Sequence, residues 1–116
     1  MTTHPRTLAE TYFRAWKDQD FDSLRSVLAD NATFTGPLGE AGNAEECIAG
    51  LRGMSRKMTD IVVLTRVVEG PDVVTMFELH TNQARPVLTA NWSHVENEKI
   101  STIRVVFDPR NILAGS

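Results

Sequence analysis

The sequence predicts an α+β fold in which three helices pack on a strongly bent, mixed or antiparallel sheet. Three observations carry this prediction. Helical periodicity is confined to the part up to Met58, four long β-branched runs follow between Ile61 and Phe107, and short clusters of Gly, Pro, Asn and Asp separate those runs. Helices that precede a strand meander place themselves on one face of an antiparallel sheet.

The first helix opens at Thr7-Leu8-Ala9-Glu10. That tetrad reads as a capping box, in which the hydroxyl and the carboxylate satisfy free N–H groups at the helix start. Leu8, Tyr12 and Trp16 recur every fourth residue, with Phe13 beside them, and form one apolar stripe ending near Asp18. A second short helix follows, with Asp20 as cap and Phe21, Leu24, Val27 and Leu28 as its buried face. Asp30-Asn31 is a turn and Ala32–Thr35 a short strand, and Gly36-Pro37 with Gly39 then breaks regular structure. Asn43 and Glu46 repeat the capping pattern ahead of a third helix, whose stripe is Ile48, Leu51, Met54 and Met58. The remaining runs are strands: Ile61–Val68, Val73–Thr81, Val87–Glu96 and Ile100–Phe107, with Pro109 as the stop.

The 116 residues suffice for one domain, spanning 1–116 with a core over about 7–113. A net charge of −3 and scattered basic residues argue against nucleic-acid binding, which needs a clustered basic surface. A single cysteine, Cys47, excludes an internal disulfide, and its apolar helical setting reads as a buried, inert thiol. No apolar run reaches the roughly 20 residues that span a bilayer, and the N-terminus lacks a signal-peptide core, so a cytoplasmic location is expected. Three histidines without paired spacing match no zinc pattern, nothing resembles a phosphate loop or a dinucleotide fingerprint, and no cofactor is implied.

The element order, the run Leu28-Ala29-Asp30-Asn31-Ala32-Thr33-Phe34 and the closing Phe107-Asp108-Pro109 resemble the nuclear-transport-factor-2-like superfamily. Its members include ketosteroid isomerases, polyketide cyclases and limonene-type epoxide hydrolases. The resemblance implies a cone-shaped fold enclosing a pocket. The ketosteroid-isomerase pattern lays onto Tyr12 through Gly39 without a gap, so the resemblance places Tyr12 on the tyrosine that donates to a developing enolate. With the preceding loop shortened, Asn91 falls on the second donor, a carboxylic acid in those enzymes. Their general base is an aspartate where this chain has Gly36. A glycine takes no proton, and loss of a positioned base forfeits about 10²–10⁴-fold in rate. Glu40 is the carboxylate nearest that position in sequence that could swing in as a replacement.

Strand alternation then sorts the side chains. Thr75, Phe77 and Leu79, with Ile103, Val105 and Phe107, make the apolar face assigned to the pocket, and Asn91 shares its own face with Thr89, Ser93 and Val95. The pocket walls are expected from Trp16, Phe34, Met54, Met58, Phe77 and Phe107. The opposite face carries Met76, Glu78, His80, Trp92, His94 and Arg104, and Asp108 is expected to pair with Arg104 there. A mixed face bearing Trp and His suits a partner surface, and a homodimer through Trp92, His94 and Arg104 is expected. The opposite parity would instead bring Glu78, His80, His94 and Arg104 inward as a titratable cluster. Two functions follow: an isomerase- or cyclase-type enzyme acting on a hydrophobic carbonyl compound, or a non-catalytic dimeric module that binds a hydrophobic ligand.

Overall fold

A computed structural model describes residues 4–82 and 85–110. The order is α1 (Pro5–Lys17), α2 (Phe21–Ser26), β1 (Leu28–Gly36), β2 (Gly39–Ala41), α3 (Ala44–Ser55), β3 (Met58–Glu69), β4 (Asp72–Thr81), β5 (Val87–Glu96) and β6 (Lys99–Val106). One six-stranded mixed sheet runs β2-β1-β6-β5-β4-β3. Neighbouring strands pair antiparallel except β1 and β6, which are parallel. Register shifts between β1 and β6, between β3 and β4 and between β5 and β6 mark the irregularities that bend a sheet around its helices.

Helix α1 starts two residues before the expected box. Pro5 occupies the first turn, where a missing N–H costs nothing, and His4 Nδ1 accepts from the Arg6 N–H at 3.2 Å. Thr7 and Glu10 therefore lie inside the helix and cap nothing. Leu8, Tyr12, Phe13 and Trp16 are buried along one side, as the periodicity requires. Asp20 caps α2 through the Ser23 N–H, but α2 ends at Ser26. Val27 is its C-cap, and Leu28 already belongs to β1, which is longer than the expected Ala32–Thr35.

The segment Gly36–Gly39 is a tight hairpin rather than an irregular break, with Gly36 paired to Gly39 across Pro37-Leu38. The three-residue β2 has no sequence period long enough to reveal it. Asn43 caps α3 through the Glu46 N–H at 2.9 Å, while the Glu46 carboxylate reaches back to the Gly42 N–H at 2.8 Å. Met58 falls after the end of α3 and opens β3, so it leaves the helical stripe to which its spacing assigned it.

The hairpins fix the register of the long strands. Glu69 pairs with Asp72 across Gly70-Pro71, and Gly70 takes φ +56°, a conformation glycine adopts without steric cost. Glu96 pairs with Lys99 across Asn97-Glu98, both at positive φ as a type I′ turn demands. With these turns set, Val73, Thr75, Phe77 and Leu79 of β4 are buried, and so are Thr89, Asn91 and Ser93 of β5. Helix α1 packs against β3 and β4, and α3 against β1 and β2. The Trp16 indole N–H donates to the Leu51 carbonyl at 3.1 Å and ties the two helices together. No helix among the described residues is long and apolar enough to cross a membrane.

Candidate functional site

The helices and the sheet enclose a cavity of about 330 Å³. This lies at the lower end of the volumes typical of ligand sites. Tyr12 and Trp16 reach it from α1, Phe77 from β4, Asn91 and Thr89 from β5, and Val105 with Phe107 from the end of β6. Phe34 and Gly36 form its β1 wall, and Glu46, Gly50 and Met54 face it from α3 at four-residue spacing. The Pro37-Leu38 turn and Glu40 stand at its mouth.

Of the residues expected at the site from sequence, Tyr12, Asn91, Trp16, Phe34, Met54, Phe77 and Phe107 all line this one cavity. Met58 does not. With α3 finished at Ser55, the chain has turned into β3, and Met58 packs against the side of the core instead. Glu46 and Cys47 went unnoticed as cavity residues because their helix-capping and core readings were sufficient. The spacing of Glu46, Gly50 and Met54 was the available signal.

An aromatic cluster makes the floor. Phe13 and Phe77 meet edge-to-face with ring centroids 5.0 Å apart, Trp16 stands at 6.3 Å from Phe77, and Tyr12 at 6.3 Å from Trp16. Such contacts fix ring orientations as well as burying area. Above this floor the wall is polar yet uncharged. Ser93 Oγ donates to Asn91 Oδ1 at 2.9 Å, and Thr89 Oγ1 donates to the Val87 carbonyl at 3.1 Å. The serine occupies the amide oxygen, so the Asn91 NH₂ group is the donor left to the site.

Tyr12 is the exception to this satisfied network. It is 1% exposed, and its hydroxyl is the one buried side-chain polar atom among the described residues that no protein group satisfies. Such an orphan costs about 1–3 kcal/mol. Burial drives the Tyr12 phenol well above its usual ionisation range. The nearby Asn91 amide eases that shift only in part, at a geometry short of a hydrogen bond, and Cys47 adds to it. The hydroxyl is therefore a permanently protonated donor. The Cys47 thiol is pushed up to about 11, mainly by burial, with Glu46 adding, and Sγ sits 3.5 Å from the Ala32 carbonyl. It stays a thiol.

The carboxylates of the site, Glu40 and Glu46, belong to exposed residues at the mouth. The inward titratable cluster is excluded, because Glu78, His80, His94 and Arg104 all lie on the outer face. There Asp72 Oδ1 accepts from Trp92 Nε1 at 2.9 Å and lies 2.7 Å from His94 Nδ1, and Arg104 stacks 5.2 Å from the Trp92 ring centre. Asp108 pairs with Arg110 two residues on, and the cation–π contact is where Arg104 is spent.

A bent sheet wrapped by three helices around a cavity of this kind defines the nuclear-transport-factor-2-like class, and the solved structures agree. The chain is similar to an NTF2-like protein of unknown function from Cytophaga hutchinsonii, with 25% identity over 97% of both chains and a TM-score of 0.87. It also resembles an LEH-like epoxide hydrolase of Mycobacterium tuberculosis (19% identity, 98% of this chain and 90% of that one, TM-score 0.79). A protein of Shewanella denitrificans assigned as a SnoaL-like polyketide cyclase shares the fold at 12% identity, over 96% of this chain and 95% of that one, with a TM-score of 0.77. The SnoaL-like domain family model matches residues 9–103, and the chain belongs to that family. No curated protein matches it in sequence.

Proposed function

We propose that the cavity binds a small, largely apolar molecule carrying a carbonyl oxygen, and that Tyr12 and Asn91 donate hydrogen bonds to that oxygen. The orphaned Tyr12 hydroxyl carries this reading. A donor held at 1% exposure without a partner is stabilised when a ligand oxygen supplies one. Two neutral donors in an uncharged, water-shielded wall favour negative charge growing on the ligand oxygen, because they need no reorganisation as it develops. The reaction class that uses this is enolisation, as in isomerases and cyclases.

The proton must leave without a carboxylate inside the cavity. It passes from an acidic carbon of the substrate to water or to a mouth carboxylate, Glu40 or Glu46. This limits the enzyme to substrates whose C–H bond is already activated by two neighbouring groups. The aromatic ketone 2-tetralone meets that requirement, since its C1 protons lie between a ring and a carbonyl.

The test follows 2-tetralone binding by Trp16 fluorescence, with Trp16→Phe as control, and C1 proton exchange in deuterated buffer by NMR. The account expects quenching that Trp16→Phe removes. It also expects exchange above buffer that Tyr12→Phe lowers by about 10²–10³-fold. Binding without exchange assigns the cavity to the non-catalytic ligand-binding function. Absence of binding by every ketone tried overturns the functional reading.

A further inference from the structure

The carboxylates that border the cavity, Glu40 and Glu46, differ in the direction from which they approach it. Across the β1–β2 hairpin Phe34 pairs with Ala41 and Thr35 with Glu40, and Thr35 also stands beside Arg104 of β6. Residues directly opposite on paired strands share a face of the sheet. Phe34 and Ala41 line the cavity and Thr35 does not. Glu40 therefore touches the rim, but its register puts it on the outer face, in one row with Thr35 and Arg104.

Glu46 approaches from the inner side. It shares one side of α3 with Gly50 and Met54, and all three line the cavity. Its Oε1 accepts from the Gly42 N–H at 2.8 Å, which anchors the carboxylate and leaves Oε2 to accept from elsewhere. One turn further along, a Cβ on Gly50 would meet nothing within 4 Å, so the helix surface beside Glu46 is open to a ligand. The helices also bring Glu46 near the donors. The Trp16–Leu51 hydrogen bond joins α1 to α3, and one turn earlier on each helix stand Tyr12 and Cys47. Burial does most to raise the Tyr12 phenol and the Cys47 thiol adds to it; burial does most to raise that thiol, and Glu46 adds there. Cys47 thus lies between the phenol and the carboxylate. The acidic proton of a ketone sits on the carbon next to the carbonyl, so its acceptor must stand close to the groups that hold the oxygen.

We infer that Glu46 is the proton acceptor of the cavity, and that it takes the C1 proton of a ketone whose oxygen is held by Tyr12 and Asn91. In this step the C1–H bond breaks toward Glu46 Oε2, its electron pair forms the C1=C2 bond, and the carbonyl π pair moves onto the oxygen. Glu46 belongs to an exposed residue, so solvent exchanges the proton it has taken before C1 recovers one. The inference rests on the enolisation reading above and chooses one of the routes that reading allows.

The experiment measures 2-tetralone affinity by Trp16 fluorescence and C1 exchange at saturating ketone by NMR. The proteins are wild type, Glu46→Gln, Glu46→Ala and Glu40→Gln, and thermal melting checks that each is folded. A glutamine keeps an oxygen for the Gly42 N–H, so Glu46→Gln removes the base and spares the helix cap. It should bind 2-tetralone as wild type does and exchange the C1 proton about 10²–10⁴-fold more slowly. In Glu46→Ala, added formate should raise exchange above what the same formate does to the ketone in protein-free buffer. Exchange at the wild-type rate in Glu46→Gln, or a loss confined to Glu40→Gln, overturns the assignment; a Tyr12→Phe variant that still slows exchange then leaves the donor reading intact. An equal loss of affinity and exchange in Glu46→Gln also overturns it, because the residue would then only shape the cavity. If Glu46→Gln fails to fold, the formate arm decides: a rise supports the inference, and no rise overturns it. Wild type that binds the ketone without exchanging its proton overturns both this inference and the enolisation reading.

Discussion

Strands β4 to β6 present two faces built from the same residue runs, and the faces do opposite things. The inner one carries Thr75, Phe77, Thr89, Asn91 and Ser93, all at 2% exposure or less, and no charged side chain of β4, β5 or β6 among the described residues faces the cavity. The outer one carries Glu78, His80, His94 and Arg104, with Trp92, Leu88 and Val106 exposed at 43%, 58% and 69%. The titratable side chains of these strands therefore sit where water screens them, and the wall that the strands give the cavity is furnished with neutral hydrogen-bonding groups. An uncharged wall avoids the penalty of burying ions and still offers donors to an oxygen. That division suits the proposed donation of hydrogen bonds to a ligand oxygen.

Placing a charge on each face breaks the comparison most severely. Asn91→Asp puts a carboxylate where desolvation disfavours its ionised form, so its folded pKa rises above the unfolded value of about 3.9. The variant should match its parent below about pH 4 and lose stability as pH rises toward the folded pKa, by about 3 kcal/mol or more at neutral pH. Ala90→Asp, one residue earlier on the outer face, should cost about 1 kcal/mol or less. Urea denaturation at pH 4 and pH 7 reads both. Equal costs at the two positions would refute the assignment of faces.

A smaller effect tests the outer face itself. Asp72 holds the His94 imidazole above its ordinary 6.5, with Glu96 adding to the effect. Because the folded pKa is raised, His94 contributes stability that is fully present below about pH 6.5 and is lost as pH rises through the folded pKa. The pair is partly exposed, so screening limits the contribution to roughly 0.5 kcal/mol. The urea midpoint of wild type should exceed that of His94→Gln by more at pH 5.5 than at pH 8.5. A difference that does not change with pH would show that the Asp72–His94 contact is not stabilising.

Much of this arrangement was legible in the sequence because it depends on parity. Alternation along β4, β5 and β6 assigned Phe77, Asn91 and Phe107 to one face and Trp92, His94 and Arg104 to the other before any coordinates. Helical spacing did the same for Tyr12 and Trp16. The errors fell where periods end. Met58 continued the α3 stripe on paper, yet the helix stops at Ser55 and the following β-branched residues draw the chain into β3. Leu28 satisfied helical spacing from Leu24 and still opens a strand. The parallel β1–β6 pairing joins segments separated by nearly the whole chain, and no local pattern encodes that contact. Sequence could show that Gly36 is not an acid. It could not show that the Phe34 ring stands within 3.1 Å of where a Cβ on Gly36 would be.

The central claim is that the Tyr12 hydroxyl waits for a ligand oxygen, and vibrational spectroscopy addresses it directly. Bound 2-tetralone carrying a ¹³C label at its carbonyl should absorb at a lower frequency in wild type than in an apolar solvent, because a hydrogen bond weakens the C=O bond. In Tyr12→Phe the absorption should move back toward its value in the apolar solvent while the ketone remains bound. The same carbonyl frequency in both proteins would contradict the account, for the oxygen would then take its hydrogen bonds from elsewhere.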